Sequence, residues 1–411
     1  MSDNKVTTSK SNFIPTAIGI YICYAVLSIA QIIISQYSSY FQSSWNTNLA
    51  GISTVISMMG IGRLLTILFA GVFSDKFGRK PILLVGMSCT VVFFVGLIFS
   101  TNIIMASIFS LFLGFTNSFG DAAAYPALSE AFPAKSASMN SLVKAAMSLA
   151  QFVIPFVVAT IPNAKITLWI LVAIIILDIV FIVFSKFAPQ GTTKKDETVA
   201  NEDTPVKAEK IDDNRPKPSM KIDGIALIAL GFTISFTFYV YTQYIPNFDI
   251  SVLGLAEGAA KTLISWYAIS SLISVFATTF LVTKIKPIYL VIFYPLISVI
   301  FLIILAIAPS VALARITSAV IGFFAAGGVW QLGLSVLTTY FPYEKGRVTG
   351  YYSFAAALTY FVGPFVSSFI IDSTATSVLK VFWIDIIFTV IGVLLASFVQ
   401  LRNRKYKFFV K

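Results

Sequence analysis

Three ionisable side chains stand where the surrounding sequence is almost wholly apolar: Arg63 in GIGRLL, Asp121 in SFGDAAA and Lys144 in SLVKAAM. A guanidinium and an ammonium recognise carboxylate or phosphate through charge-assisted hydrogen bonds, and a carboxylate can exchange a proton. With no histidine in the chain, proton chemistry falls to carboxylates, tyrosine or lysine. Arg63 and Lys144 are therefore candidate anion-binding groups, and Asp121 a candidate titratable counter-ion. The same residues could instead staple helices as Arg63–Asp121 and Lys144–Glu130 ion pairs, and the sequence leaves both readings open. Polar side chains repeat at helical spacing around them: Asn117, Asp121 and Tyr125; Tyr239, Gln243 and Asn247; Gln31 and Ser35. No nucleophile and base sit at a recognisable spacing, so no catalytic residue is assigned and an enzyme is not expected. Cys23 and Cys89 lie inside apolar runs and offer neither a disulfide framework nor a metal-ligand spacing. No cofactor or metal is expected, and without a P-loop ATP is not the energy source.

The elements that must hold these charges are set by composition. Of 411 residues 57% are hydrophobic and 11% charged, and the mean hydropathy is +0.87. Continuous apolar runs of about 20 residues match a hydrocarbon core of roughly 30 Å, which requires helices. The runs predict twelve, at 13–41, 50–74, 80–100, 103–131, 138–161, 166–187, 222–246, 257–283, 287–308, 311–341, 347–371 and 378–401. Along such helices Arg63 stands about 18 Å before Asp75, near the membrane midplane. Asp121 lies at similar depth, and Lys144 roughly 10 Å inside its helix. An ionisable group at that depth costs at least a few kcal/mol and calls for a partner or a function.

Five segments follow: a polar tail 1–12, a six-helix bundle 13–187, a charged, proline-bearing linker 188–221, a second bundle 222–401 and a basic tail 402–411. Lysine and arginine collect in the loops that are cytoplasmic if the amino terminus is inside, so both termini are expected in the cytoplasm of a multi-pass cell-membrane protein. The net charge of +11 then reflects topology and lipid headgroups, and no nucleic-acid partner is expected. The halves repeat: a shift of 209 aligns LSEAFPAKSASMNSLVKAAMSLAQFVIPFV from Leu128 with LTTYFPYEKGRVTGYYSFAAALTYFVGPFV from Leu337 without a gap. Phe152 then matches Phe361, Pro155 matches Pro364, and Asp121 falls on Trp330 beside Gln331.

The stretch GVFSDKFGRKP, between the second and third runs, is similar to the loop signature of the major facilitator superfamily, with Gly71, Asp75, Gly78, Arg79 and Lys80 matching it. The resemblance covers about Phe13 to Leu401. It implies a fold of two six-helix pseudo-repeats in which helices one, four, seven and ten line a cavity flanked by two, five, eight and eleven. Arg63, Asp121, Lys144, Asn117, Tyr125, Gln31, Tyr239, Gln243, Trp330 and Gln331 would then face substrate. It also implies that the Asp75 loop is a latch, its contacts with the other half holding the outward-facing state. The expected function is secondary transport, as a monomer, of a small anionic organic solute coupled to protons or a counter-solute. The alternative is proton-coupled multidrug or sugar efflux. Drug antiporters of this superfamily usually carry an arginine early in helix four and a glycine-rich Gly-Pro segment in helix five, and both are missing here. Asp178 and Asp385, on helices that support the cavity, are expected in structural pairs.

Overall fold

The computed structural model describes residues 12–189, 218–342, 345–372 and 374–406. The expected tail before residue 12, linker residues 190–217 and the last five residues lie outside them. Among the described residues every regular element is a helix, and there are no strands. The spanning helices are α1 (Ile14–Gln36), α2 (Leu49–Phe77), α3 (Arg79–Phe99), α4 (Ile103–Ala131), α5 (Ser136–Thr160) and α6 (Ala164–Phe184). The second half has α7 (Met220–Ser251), α8 (Leu263–Leu281), α9 (Pro287–Ile307), α10 (Val311–Tyr340), α11 (Lys345–Ser368) and α12 (Ala375–Tyr406). Eleven are long and apolar enough to cross a membrane by composition alone. The other, α11, has 24 residues, so it reaches about 36 Å. Its weaker apolarity follows from its place, packed against α2 and α7 rather than against lipid alone.

The ends of the bundle are built differently. The end bearing the Gly78 turn is here the terminal end, and the opposite one the far end. At the far end α2, α4, α6 and α10 begin on side-chain caps, Asn48, Asn102, Asn163 and Ser310 accepting from backbone amides. At the terminal end α2 turns into α3 through Gly78 alone, whose φ of +103° suits a residue without a β-carbon. Lys80 Nζ donates to Val183 O (2.6 Å) and Ser185 O (3.0 Å), closing the carbonyl end of α6.

Two boundaries depart from the expected runs. Helix α10 is broken at mid-span by a π-helical turn, Gly322–Ala326, and by Gly328. The carbonyls this exposes are met from α8: the single Ser274 hydroxyl proton is shared between Phe323 O (2.6 Å) and Gly327 O (2.8 Å), and Thr278 Oγ1 donates to Gly327 O at 3.3 Å. A break at membrane depth stands where neighbouring hydroxyls satisfy it. Helix α12 runs on to Tyr406, because Arg402 pairs with buried Asp223 and Tyr406 Oη donates to that carboxylate (2.8 Å). Part of the stretch expected as a basic tail thus belongs to the bundle.

The halves meet at the far end. Tyr244 Oη bonds Ser53 Oγ (2.9 Å), Gln243 Nε2 donates to Gln31 O (2.9 Å), and Ser265 Oγ donates to Phe152 O (2.9 Å). Lys261 Nζ lies 5.4 Å from the Tyr37 ring centroid. Helices α2 and α11 cross so closely at Gly60 that a β-carbon there would sit 2.1 Å from Phe361 N. Phe152 and Phe361, matched by the repeat, thus occupy the two inter-half crossings, α5 with α8 and α11 with α2. Towards the terminal end these helices are bare: Leu65, Leu68, Phe69, Val72 and Phe73 on α2, and Tyr351 and Phe354 on α11, are exposed.

Candidate functional site

Helices α2 and α4 approach through facing glycines: a β-carbon on Gly62 would lie 2.1 Å from Leu111 O, and one on Gly114 2.3 Å from Arg63 N. That contact sets Arg63 beside Asp121, and Arg63 Nη2 donates to Asp121 Oδ2 at 2.9 Å. Tyr24 Oη from α1 donates to Asp121 Oδ1 at 2.8 Å, and Ser118 Oγ donates to Arg63 O at 3.0 Å. Of the two alternatives left by the sequence, the Arg63–Asp121 pair is formed. It is not sealed off, however: the Asp121 side chain is 37% exposed against 13% for Arg63, although Asp121 lies ten residues inside the end of α4.

The other pairing is not formed. Glu130 accepts from Arg79 Nη2 (3.1 Å) and Nε (3.2 Å), leaving it engaged at the terminal end. Among the described residues Lys144 has no carboxylate within ion-pair range. Its ammonium lies 5.8 Å from the centroid of Phe238, on the opposite half. This is cation–π range, and it points the charge of α5 at α7.

A belt of side chains continues from there. Tyr239, next to Phe238, packs on Tyr360 with centroids 4.4 Å apart and the rings tilted by 47°, and the Arg63 guanidinium lies 4.8 Å over Tyr360. One turn towards the far end, Gln31 Nε2 donates to Asn117 Oδ1 (2.8 Å), and Gln243 reaches Gln31 O. Tyr125 packs edge-on to Tyr24 at 5.7 Å. The structure therefore gathers Arg63, Asp121, Lys144, Asn117, Gln31, Tyr125, Tyr239 and Gln243 around the junction of the halves. Three buried polar atoms of the belt make no hydrogen bond among the described residues: Arg63 Nε, Tyr239 Oη and Gln243 Oε1.

Trp330 is placed elsewhere. It packs on Tyr352 at 5.2 Å within the second half, and Gln331 is exposed. The α10 break explains this, since it changes the helical phase that the 209-residue shift assumes. Asp178 and Asp385, expected in structural pairs, are buried without any hydrogen-bond partner among the described residues. In the GVFSDKFGRKP loop, Arg79 Nη1 holds Asp75 at 2.6 Å across the Gly78 turn, so the turn-anchoring pair forms. Asp75 is 71% exposed, and the hydrogen bonds described for Asp75, Arg79 and Lys80 stay in the first half. Sequence reasoning missed Tyr24, Tyr360 and Phe238, which sit in aromatic-rich apolar runs where nothing in their spacing sets them apart.

Two six-helix halves, joined by crossing helices and carrying charged groups at mid-depth between them, define a helical membrane protein of the two-half transporter type. Residues 20–332 match the family model of the Major Facilitator Superfamily. The chain is 34% identical over 403 residues to the Inner membrane transport protein YdiM of Escherichia coli (strain K12), covering 96% of each. It is 33% identical over 397 residues to the Uncharacterized MFS-type transporter YfkL of Bacillus subtilis (strain 168), covering 95% of this chain and 97% of that one. The crystal structure of a D-xylose-proton symporter shares the fold, with a TM-score of 0.72 at 14% identity over 95% of this chain and 97% of that one. The chain belongs to the Major Facilitator Superfamily, and it is a multi-pass membrane transporter of that family.

Proposed function

We propose that the protein moves a small anionic organic solute by alternating access, coupled to protons or a counter-solute. The observation that carries this reading is Lys144: an ammonium inside the bundle, directed across the junction of the halves, with no counter-charge among the described residues. An uncompensated charge at that depth is costly, and an anionic solute would supply the missing partner. Asp121, reached by solvent yet tied to Arg63 and Tyr24, is the group we assign to proton exchange.

Basic residues such as Lys76, Arg79, Lys80, Lys135, Lys284 and Lys286 crowd the terminal end, which supports a cytoplasmic terminal end by the positive-inside rule. The conformation is then inward-open. Its counterpart follows from helix register. From the Gly60–Phe361 crossing, eleven residues along each antiparallel helix, about three turns, bring Gly71 level with Gly350. A β-carbon on either meets nothing within 4 Å here. Closing the terminal end would pack these glycines together and bring Asp75 to the first turn of α11, which is the latch expected of the loop. Its detachment here is what an inward-open state requires.

Counterflow in proteoliposomes with labelled acids, sugars and cationic dyes tests the reading. Exchange of an acid, lost in Lys144→Gln, supports it. Exchange of a neutral sugar or a dye, unaffected by that substitution, favours the efflux alternative.

A further inference from the structure

The geometry points to a hydroxylated monocarboxylate, such as a sugar acid, as the solute of the Lys144 site; this rests on the anionic reading above. Charge balance restricts the solute. Two cationic groups belong to the belt, and Arg63 is already neutralised by Asp121 at 2.9 Å. While Asp121 is ionised Lys144 alone is uncompensated, so in that state the site balances one negative charge. A dicarboxylate or a phosphate dianion would bring a second charge with no partner. An amino-acid zwitterion would need a free carboxylate for its ammonium, and Asp121 is already held by Arg63 and Tyr24.

Unmet hydrogen-bond demand restricts it further. Gln243 has its amide direction fixed, because Nε2 donates to Gln31 O at 2.9 Å. Its Oε1 is thereby presented as an acceptor, buried and without a donor among the described residues. Tyr239 Oη, one turn back on the same face of α7, is likewise buried without a hydrogen-bond partner among the described residues. An acceptor left unpaired costs about 1–3 kcal/mol, which a solute hydroxyl would recover and an alkyl chain would not. Phe238, beneath the Lys144 ammonium, directly precedes Tyr239 on α7, so the charge stands at the depth of this hydroxyl-reading face, about 100° round the helix from it.

A matched set of six-carbon probes separates these statements: gluconate, glucose without the charge, hexanoate without the hydroxyls, and glucarate with a second carboxylate. Calorimetric titration of the full-length protein in detergent is expected to give gluconate the lowest Kd, with each other probe weaker by about tenfold or more. Lys144→Gln should remove the preference for gluconate over glucose, while Lys144→Arg keeps it. Gln243→Leu should weaken gluconate about tenfold and leave hexanoate unchanged. Thermal unfolding of each variant confirms that it is folded. Hexanoate binding as tightly as gluconate, or glucarate binding more tightly, overturns the inference while the anionic reading stands. Glucose binding as tightly as gluconate, in both the native protein and Lys144→Gln, overturns both. Absence of gluconate binding overturns the inference.

Discussion

Replacing Arg63 by glutamine removes a charge held on one side by Asp121 and on the other by the Tyr360 ring. Loss of one partner from a sealed ion pair costs about 3–5 kcal/mol, and loss from an exposed pair about 0–1 kcal/mol. Asp121 is 37% exposed and Arg63 13%, which places this pair between the limits, at roughly 2 kcal/mol. For bodies the size of each half, 1 kcal/mol moves Tm by about 2–4 °C, so Arg63→Gln should lower Tm by roughly 4–8 °C. Asp121→Asn should do the same, because it leaves Arg63 without a counter-charge. The double variant removes both charges together and should recover at least half of that loss, while its gradient-driven uptake stays low. The assay is thermal unfolding in detergent beside uptake in proteoliposomes. Additive losses in the double variant would show that the two groups are not coupled. Recovery of driven uptake along with stability would reduce the pair to a helix staple and remove Asp121 from coupling.

Asp121→Asn alone should abolish proton-driven accumulation and spare counterflow, since solute exchange needs no net proton movement; equal loss of both in a folded protein would sink the coupling role. Asp75→Asn should shift the population further towards the inward-open state and slow turnover, read by labelling cysteines placed at the two mouths, and an unchanged labelling ratio with normal transport would leave Asp75 a solvated charge. Gly71→Leu adds a side chain into open space here, so Tm should hold while transport falls about tenfold or more through blocked closure. Gly60→Leu, by contrast, drives a side chain into the α11 backbone and should lower stability by about 1–3 kcal/mol.

The twelve helices were legible because each must bury its backbone polar groups over a fixed thickness, and that requirement writes a long apolar run bounded by charge. The α10 break was not, since Gly322 and Gly327–Gly328 are ordinary in apolar helices until hydroxyls from α8 take up the freed carbonyls. Arg63, Asp121 and Lys144 stood out because charge at membrane depth is rare. Their partners did not: Tyr24 and Tyr360 act through ring position and a hydroxyl, and an aromatic residue in an apolar run carries no sign of either. Glu130 shows the same limit. Its distance in sequence from Lys144 suited a pair, yet Arg79, 51 positions away, claims it through the close packing of α3 on α4.

In alternating access the two halves rock about the belt, opening one end as the other closes. With Cys23 and Cys89 replaced, spin labels at Val72 and Tyr351 report the terminal end, and labels at Asn48 and Asp372 the far end. Removing far-end contacts with Lys261→Gln and Tyr244→Phe should shorten the first distance and lengthen the second in the same sample, a shift that added Gly71→Leu suppresses. Both distances remaining fixed in the folded variant would contradict alternating access and leave a static bundle.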